Sequence, residues 1–117
     1  MSKIDIKVII KNKDDISEEN YKAIKNNNKI TYKEKECKTT IFLDEFKIIR
    51  ENNDYLMEMN FIPNKQTNGK YILKENKQEI SLDILTDYLI IENNLIILKY
   101  NVLTTDQDVI FKLEYVK

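Results

Sequence analysis

A chain of 117 residues with no histidine must do any chemistry with carboxylates, hydroxyls, amines and a single thiol. The side chain that most often moves protons near neutral pH is missing. Carboxylates are plentiful, and Glu34 with Glu36, Asp83 with Asp87, and Asp106 with Asp108 lie close in sequence. Asp106 and Asp108 could chelate a hard cation, which takes oxygen ligands. They also fall in an expected hairpin turn, where solvated aspartate is ordinary, so no metal site is expected. Hydrolysis by two carboxylates needs a set separation across a cleft, which spacing along the chain does not supply. Ser2, Ser17 and Ser81 have no histidine partner and no nucleophile-elbow context. The lone Cys37 can form no internal disulfide, and without histidine it makes neither a zinc site nor a Cys–His pair. It shares parity with Thr39, Ile41 and Leu43 on an expected strand and reads as a buried, inert thiol. One glycine in the whole chain excludes a glycine-rich phosphate loop. Enzymatic activity is therefore the least favoured class, with no catalytic residue and no cofactor to name.

Charge narrows the partners. Lysine alternates with glutamate and aspartate almost everywhere, and the formal net charge is −1. No basic stripe offers the electrostatic footprint of a nucleic-acid binder. Arg50 is the one arginine among 19 basic residues, although arginine is the side chain best suited to bidentate phosphate contacts. A composition rich in Lys, Asn and Ile accounts for most of that scarcity. The segment Met1–Lys7 alternates charge with isoleucine and lacks an apolar signal core. Apolar runs such as Leu95–Leu98 are far too short to span a bilayer. A cytoplasmic protein with neither a nucleic-acid nor a membrane partner is expected.

The elements that must position any site are strands. With 42% hydrophobic and 33% charged residues the chain is globular, one domain over residues 1–117 that buries roughly 65% of its unfolded surface. Three strands follow one another at the end: Gln78–Glu92, Leu95–Thr104 and Val109–Val116. In the last, Val109, Phe111, Leu113 and Tyr115 alternate with Ile110, Lys112, Glu114 and Val116, the period of two that buries one face. Upstream, Ile4, Ile6, Val8 and Ile10 mark a first strand. Ile30 and Tyr32 open a polar one whose second half, Lys33–Glu36, has the charge that protects a sheet edge or barrel rim. Cys37–Leu43 and Phe46–Arg50 form a hairpin around Asp44 and Glu45. Tyr55, Met57, Met59 and Phe61 share a face of a strand that Pro63 ends. Tyr71 and Leu73 face one side of Lys70–Glu75. Turns use Asn and Asp, which tolerate left-handed backbone well enough to stand in for glycine. The segment from Ile16 to Lys25 reads either as a short helix capped near Asp15 or Ser17, which propensity favours, or as a strand turning at Asn26–Asn28. Eight to ten short strands joined by tight turns point to an all-β fold, an antiparallel up-and-down barrel.

The chain resembles the YwiB-like bacterial domains, a family of unknown function. The resemblance is carried by strand order and spacing over Lys3–Lys11, Tyr21–Glu36, Lys38–Arg50 and, most clearly, Lys70–Tyr115. The most similar pieces are Tyr71-Ile72-Leu73, Ile80-Ser81-Leu82, Thr86, Ile96-Ile97-Leu98-Lys99-Tyr100 and Phe111-Lys112-Leu113-Glu114-Tyr115. It implies a calycin-type, lipocalin-like barrel and a strand instead of a helix at Asn20–Lys25. The family tends to a Phe-Gly turn where this chain has Glu75-Asn76, and it has no established catalytic residues to transfer.

Two functions from different classes fit these residues. Tyr32, Met57, Met59, Tyr71, Tyr100 and Tyr115 fall on faces assigned inward, and they could line a lumen that takes a small apolar or amphipathic ligand. The plainer reading, that they only fill the barrel as side chains do in small barrels, carries more weight. The other function is interaction. Ile90, Ile91 and Leu95–Leu98 load both faces of one hairpin, and an apolar second face needs a cover. A homodimer through the Ile90–Leu98 hairpin is the expected form of it.

Overall fold

The computed structural model describes residues 2–116. Ten strands, each hydrogen-bonded to its sequence neighbours, close into one antiparallel up-and-down barrel: β1 (Ser2–Lys11), β2 (Ile16–Asn26), β3 (Lys29–Lys33), β4 (Lys38–Phe42), β5 (Lys47–Glu51), β6 (Tyr55–Asn60), β7 (Gln66–Leu73), β8 (Glu79–Glu92), β9 (Leu95–Val102) and β10 (Gln107–Val116). The seam between β1 and β10, from Asp5↔Val116 to Lys11↔Ile110, closes the barrel. Among the described residues there is no helix, hence none long and apolar enough to cross a membrane.

Residues 16–26 are a strand against local helix propensity, longer than the Asn20–Lys25 strand that the family resemblance implied. Ten cross-strand pairs with β1, from Ser2↔Lys25 to Lys11↔Ile16, hold β2. Only its last residues, Ala23 to Asn26, also pair with β3. Its first half therefore runs along β1, itself paired with β10, without β3 on its other side, and Ile16 at its tip is 70% exposed. The boundary between β9 and β10 also differs from expectation. The turn is Leu103–Asp106, so Gln107 and Asp108 already belong to the strand.

Left-handed backbone occurs at Asn27, Asn64, Lys77 and Asp106, three of them the Asn or Asp that tight turns without glycine require. Gly69 serves a different need. A Cβ there would lie 2.6 Å from the Glu58 carbonyl oxygen and 3.1 Å from Ile84 Cδ1, so β6 and β7 approach this closely only across a glycine.

The core fills one half of the barrel. Ile6, Ile30, Ile41, Ile84, Leu98 and Leu113 are fully buried, with Phe46 and Phe61 beside them. β8 shifts register between Thr86 and Tyr88. This bulge moves the inward face from Leu82, Ile84 and Thr86 to Leu89 and Ile91, because a bulge adds one residue to one strand.

Candidate binding site in the barrel lumen

The other half of the lumen is open. Inward residues of β3 to β7 stand in register across five strands: Tyr32↔Thr39, Thr39↔Arg50, Arg50↔Met57 and Met57↔Tyr71. They form a belt, and the next belt inward, Ile30↔Ile41↔Ile48↔Met59, is apolar. Above this floor lies a cavity of about 310 Å3, bounded on the far wall by Tyr100, Val109 and Phe111. That is the lower end of the ~300–1,000 Å3 that small-molecule sites occupy.

One polar cluster sits in this cavity. Glu34 follows β3 in a turn closed by the hydrogen bond from its own N–H to the Cys37 carbonyl. The turn folds the carboxylate inward, so Glu34 is not part of a charged rim, as the Lys33–Glu36 pattern suggested. Its Oε2 accepts from Thr39 Oγ1 at 2.6 Å, Cys37 Sγ at 2.9 Å and Arg50 Nη2 at 3.1 Å. Arg50 Nη2 also lies 3.3 Å from Cys37 Sγ. Among the described residues Glu34 Oε1 and the Nε and Nη1 groups of Arg50 take no partner. The side chains remain 15% and 33% exposed, respectively. Every other residue lining the cavity is uncharged at neutral pH, so its net charge is zero.

Burial alone would raise the Glu34 pKa, but bonds from Cys37 and Thr39 and the Arg50 charge outweigh it and hold the carboxyl below its usual range. Arg50 is burdened by burial, yet the facing Glu34 charge raises its pKa on balance. Cys37 is pushed up by burial and by donating to Glu34. It remains a thiol, and the reactive species is the thiolate. Burial also raises the pKa of Tyr32, Tyr21 and Tyr55, and pushes Tyr100 to about 12. All four stay neutral donors at neutral pH. Stacked pairs flank the cluster on both sides: Tyr21 on Tyr32 and Tyr55 on Tyr71, each with centroids 5.1 Å apart.

Of the six residues assigned inward from the sequence, Tyr32, Met57, Met59, Tyr71 and Tyr100 line this cavity. Tyr115 does not. It lies beyond Leu113 on β10, two steps along from Phe111, and packs against the filled half, with Lys25 Nζ 5.5 Å above its ring. Sequence reasoning missed Glu34, Thr39 and Arg50 as site residues. The signal was parity: Glu34 shares it with Ile30 and Tyr32, and Arg50 with Ile48.

A larger concavity, of about 730 Å3, lies on the outer wall across β8, β9 and β10. Its lysines and aspartates face solvent, Lys99 pairs with Asp87 at 3.5 Å, and no group converges there as the three donors do on Glu34. Asp106 and Asp108 both line this outer trough, and Asp108 accepts from Asn101 Nδ2 at 2.5 Å. Among the described residues no group of three or more Cys, Asp or Glu could hold a metal ion.

The apolar hairpin divides as a regular strand must. Ile96 and Leu98 point into the core, whereas Leu95 and Ile97 are half-buried on the outer wall beside exposed Ile90 and Tyr88. Ile91 faces the inner side but passes the barrel end, where it joins Leu43, Ile62 and Leu89 around a basal hollow.

No protein-family model and no curated protein matches the chain. Among solved structures, the YwiB protein from Bacillus subtilis is similar with a TM-score of 0.60 over 98% of this chain and 91% of that one, at 14% identity. The chain shares the fold of YwiB. At that identity the likeness to YwiB concerns the fold alone, and no residue role passes from YwiB to this chain.

Proposed function

We propose that this barrel binds a small apolar or amphipathic molecule in the open half of its lumen. The observation that carries the reading is the Glu34–Arg50 pair. Withdrawing two charges from water is costly, and apolar side chains of similar volume often do as well or better for stability. A shielded pair at the edge of a cavity, with unused donors and an unused acceptor, makes better sense as a recognition element than as a staple. Tyr32, Tyr71 and Tyr100 supply amphipathic walls and Met57 and Met59 adaptable ones. A calycin- or lipocalin-like kinship belongs to the same reading, although fold alone is a weak warrant for function. A cytoplasmic setting suits it too, since such compartments keep a free thiol such as Cys37 reduced.

A second reading rests on the outer wall. Tyr88 and Ile90 are exposed next to Leu95 and Ile97, a row that a second copy of the chain could cover. Native mass spectrometry of freshly purified protein separates the two. A monomer with extra mass supports the lumen binder. A bare dimer that Ile97→Lys converts to a folded monomer supports the interaction module and counts against the binder.

A further inference from the structure

Resting on the lumen reading, we infer that the ligand's buried head is uncharged and presents a hydrogen-bond acceptor beside a donor, as a carboxamide or a lactam ring edge does. Glu34 and Arg50 both line the cavity, and their remaining polar groups are of two kinds. Arg50 keeps Nε and Nη1 as donors, and Glu34 keeps Oε1 as an acceptor, because Thr39, Cys37 and Arg50 Nη2 all converge on Oε2. Their mutual contact at 3.1 Å places guanidinium donors and a carboxylate acceptor side by side. An amide edge matches that array with its oxygen on Arg50 and its N–H on Glu34.

Charge decides against the alternatives. The lining holds one positive and one negative group, each already neutralised by the other. A carboxylate head would gain Arg50 but lie against Glu34. An ammonium head would gain Glu34 but lie against Arg50. Either would bring an uncompensated charge into a shielded, largely apolar space, where an unpaired charge is strongly disfavoured. A purely apolar head would leave both free edges without partners, which is also costly once water is expelled. Tyr32, Tyr71 and Tyr100 in the cavity lining favour a body with an aromatic ring, since aromatic side chains pair well with one another.

The experiment compares three probes with one ring and one head: benzamide, benzoate and benzylammonium. Each is titrated at neutral pH into protein labelled at its methionine methyl groups, and the Met57 and Met59 resonances are followed. Benzamide should half-saturate at a concentration about tenfold or more below either ion, a ratio equivalent to ~1.4 kcal/mol. Removing one charge should redirect the preference: Glu34→Gln towards benzoate and Arg50→Gln towards benzylammonium, with folding of each variant checked by circular dichroism. Benzoate or benzylammonium equal to or tighter than benzamide in the unmutated protein overturns the inference while leaving the lumen reading in place. If no probe moves Met57 or Met59, the lumen reading itself falls and the inference falls with it.

Discussion

Cutting the Glu34–Arg50 pair at Arg50 should cost more than removing it whole. Arg50→Met keeps the stem's bulk and leaves a carboxylate only 15% exposed, still accepting from Thr39 and Cys37. A fully buried pair broken this way costs ~3–5 kcal/mol and an exposed one ~0–1 kcal/mol. With Arg50 one-third exposed, about 2 kcal/mol is expected. Glu34→Gln retains hydrogen bonding and leaves a guanidinium that still reaches water, for about 1 kcal/mol. Independent effects would sum to about 3 kcal/mol, whereas the double variant should lose no more than about 1 kcal/mol, a coupling near 2 kcal/mol. Urea unfolding of the four proteins at neutral pH measures this. The sign with pH is fixed by the lowered Glu34 pKa. The folded state binds the Glu34 proton less readily than the unfolded chain, so its contribution is complete above the ordinary carboxylate value of 4.5 and is lost as pH falls through the lower folded value. The coupling should shrink over that acid range. Additive single effects, or a coupling that persists once Glu34 is protonated, would refute the argument.

Further outcomes test the frame around the site. Leu113→Ala, at a fully buried position, should cost about 2–5 kcal/mol and Lys112→Ala on the outer face no more than about 0.5 kcal/mol, both read by urea unfolding. Equal losses would mean that the faces of β10 are reversed. Gly69→Ala should destabilise by about 1–3 kcal/mol, because the new methyl meets the Glu58 carbonyl, which is backbone and cannot swing aside. A wild-type melting temperature for that variant would contradict the close approach. Thr86 Oγ1 is buried without a hydrogen-bond partner, so Thr86→Val should be neutral or stabilising by about 1 kcal/mol. A clear loss of stability on thermal melting would show that the hydroxyl is used.

The barrel was legible because a period of two is hard to counterfeit over so many short segments. β10 shows this best, its Val109, Phe111 and Leu113 all buried and the residues between them not. Residues 16–26 were ambiguous because local propensity sees neither the ten-pair ladder with β1 nor the seam that closes the barrel. The parity shift at Thr86–Tyr88 left no local signal either, since a bulge is set by the neighbouring strands. The site was harder for a different reason. Inward aromatic and sulfur residues stand out from their alternation, and five of the six lie at the cavity. Glu34 was hidden in the charged run Lys33–Glu36, and Arg50 was read as a consequence of composition. Placing them together needs the β3–β4 and β4–β5 registers, which bring Tyr32, Thr39 and Arg50 into one row.

The claim that the lumen holds a small molecule is tested most directly by the methyl resonances of Met57 and Met59, two side chains on the cavity wall. Spectra are recorded on the protein as purified, then after unfolding, solvent extraction and refolding, and finally with the extract returned. Both methyl resonances should move on extraction and return when the extract is added, in the unmutated protein but not in the Glu34→Gln, Arg50→Met double variant. Methyl resonances that stay fixed through extraction and re-addition, in a protein that refolds fully, would contradict the account.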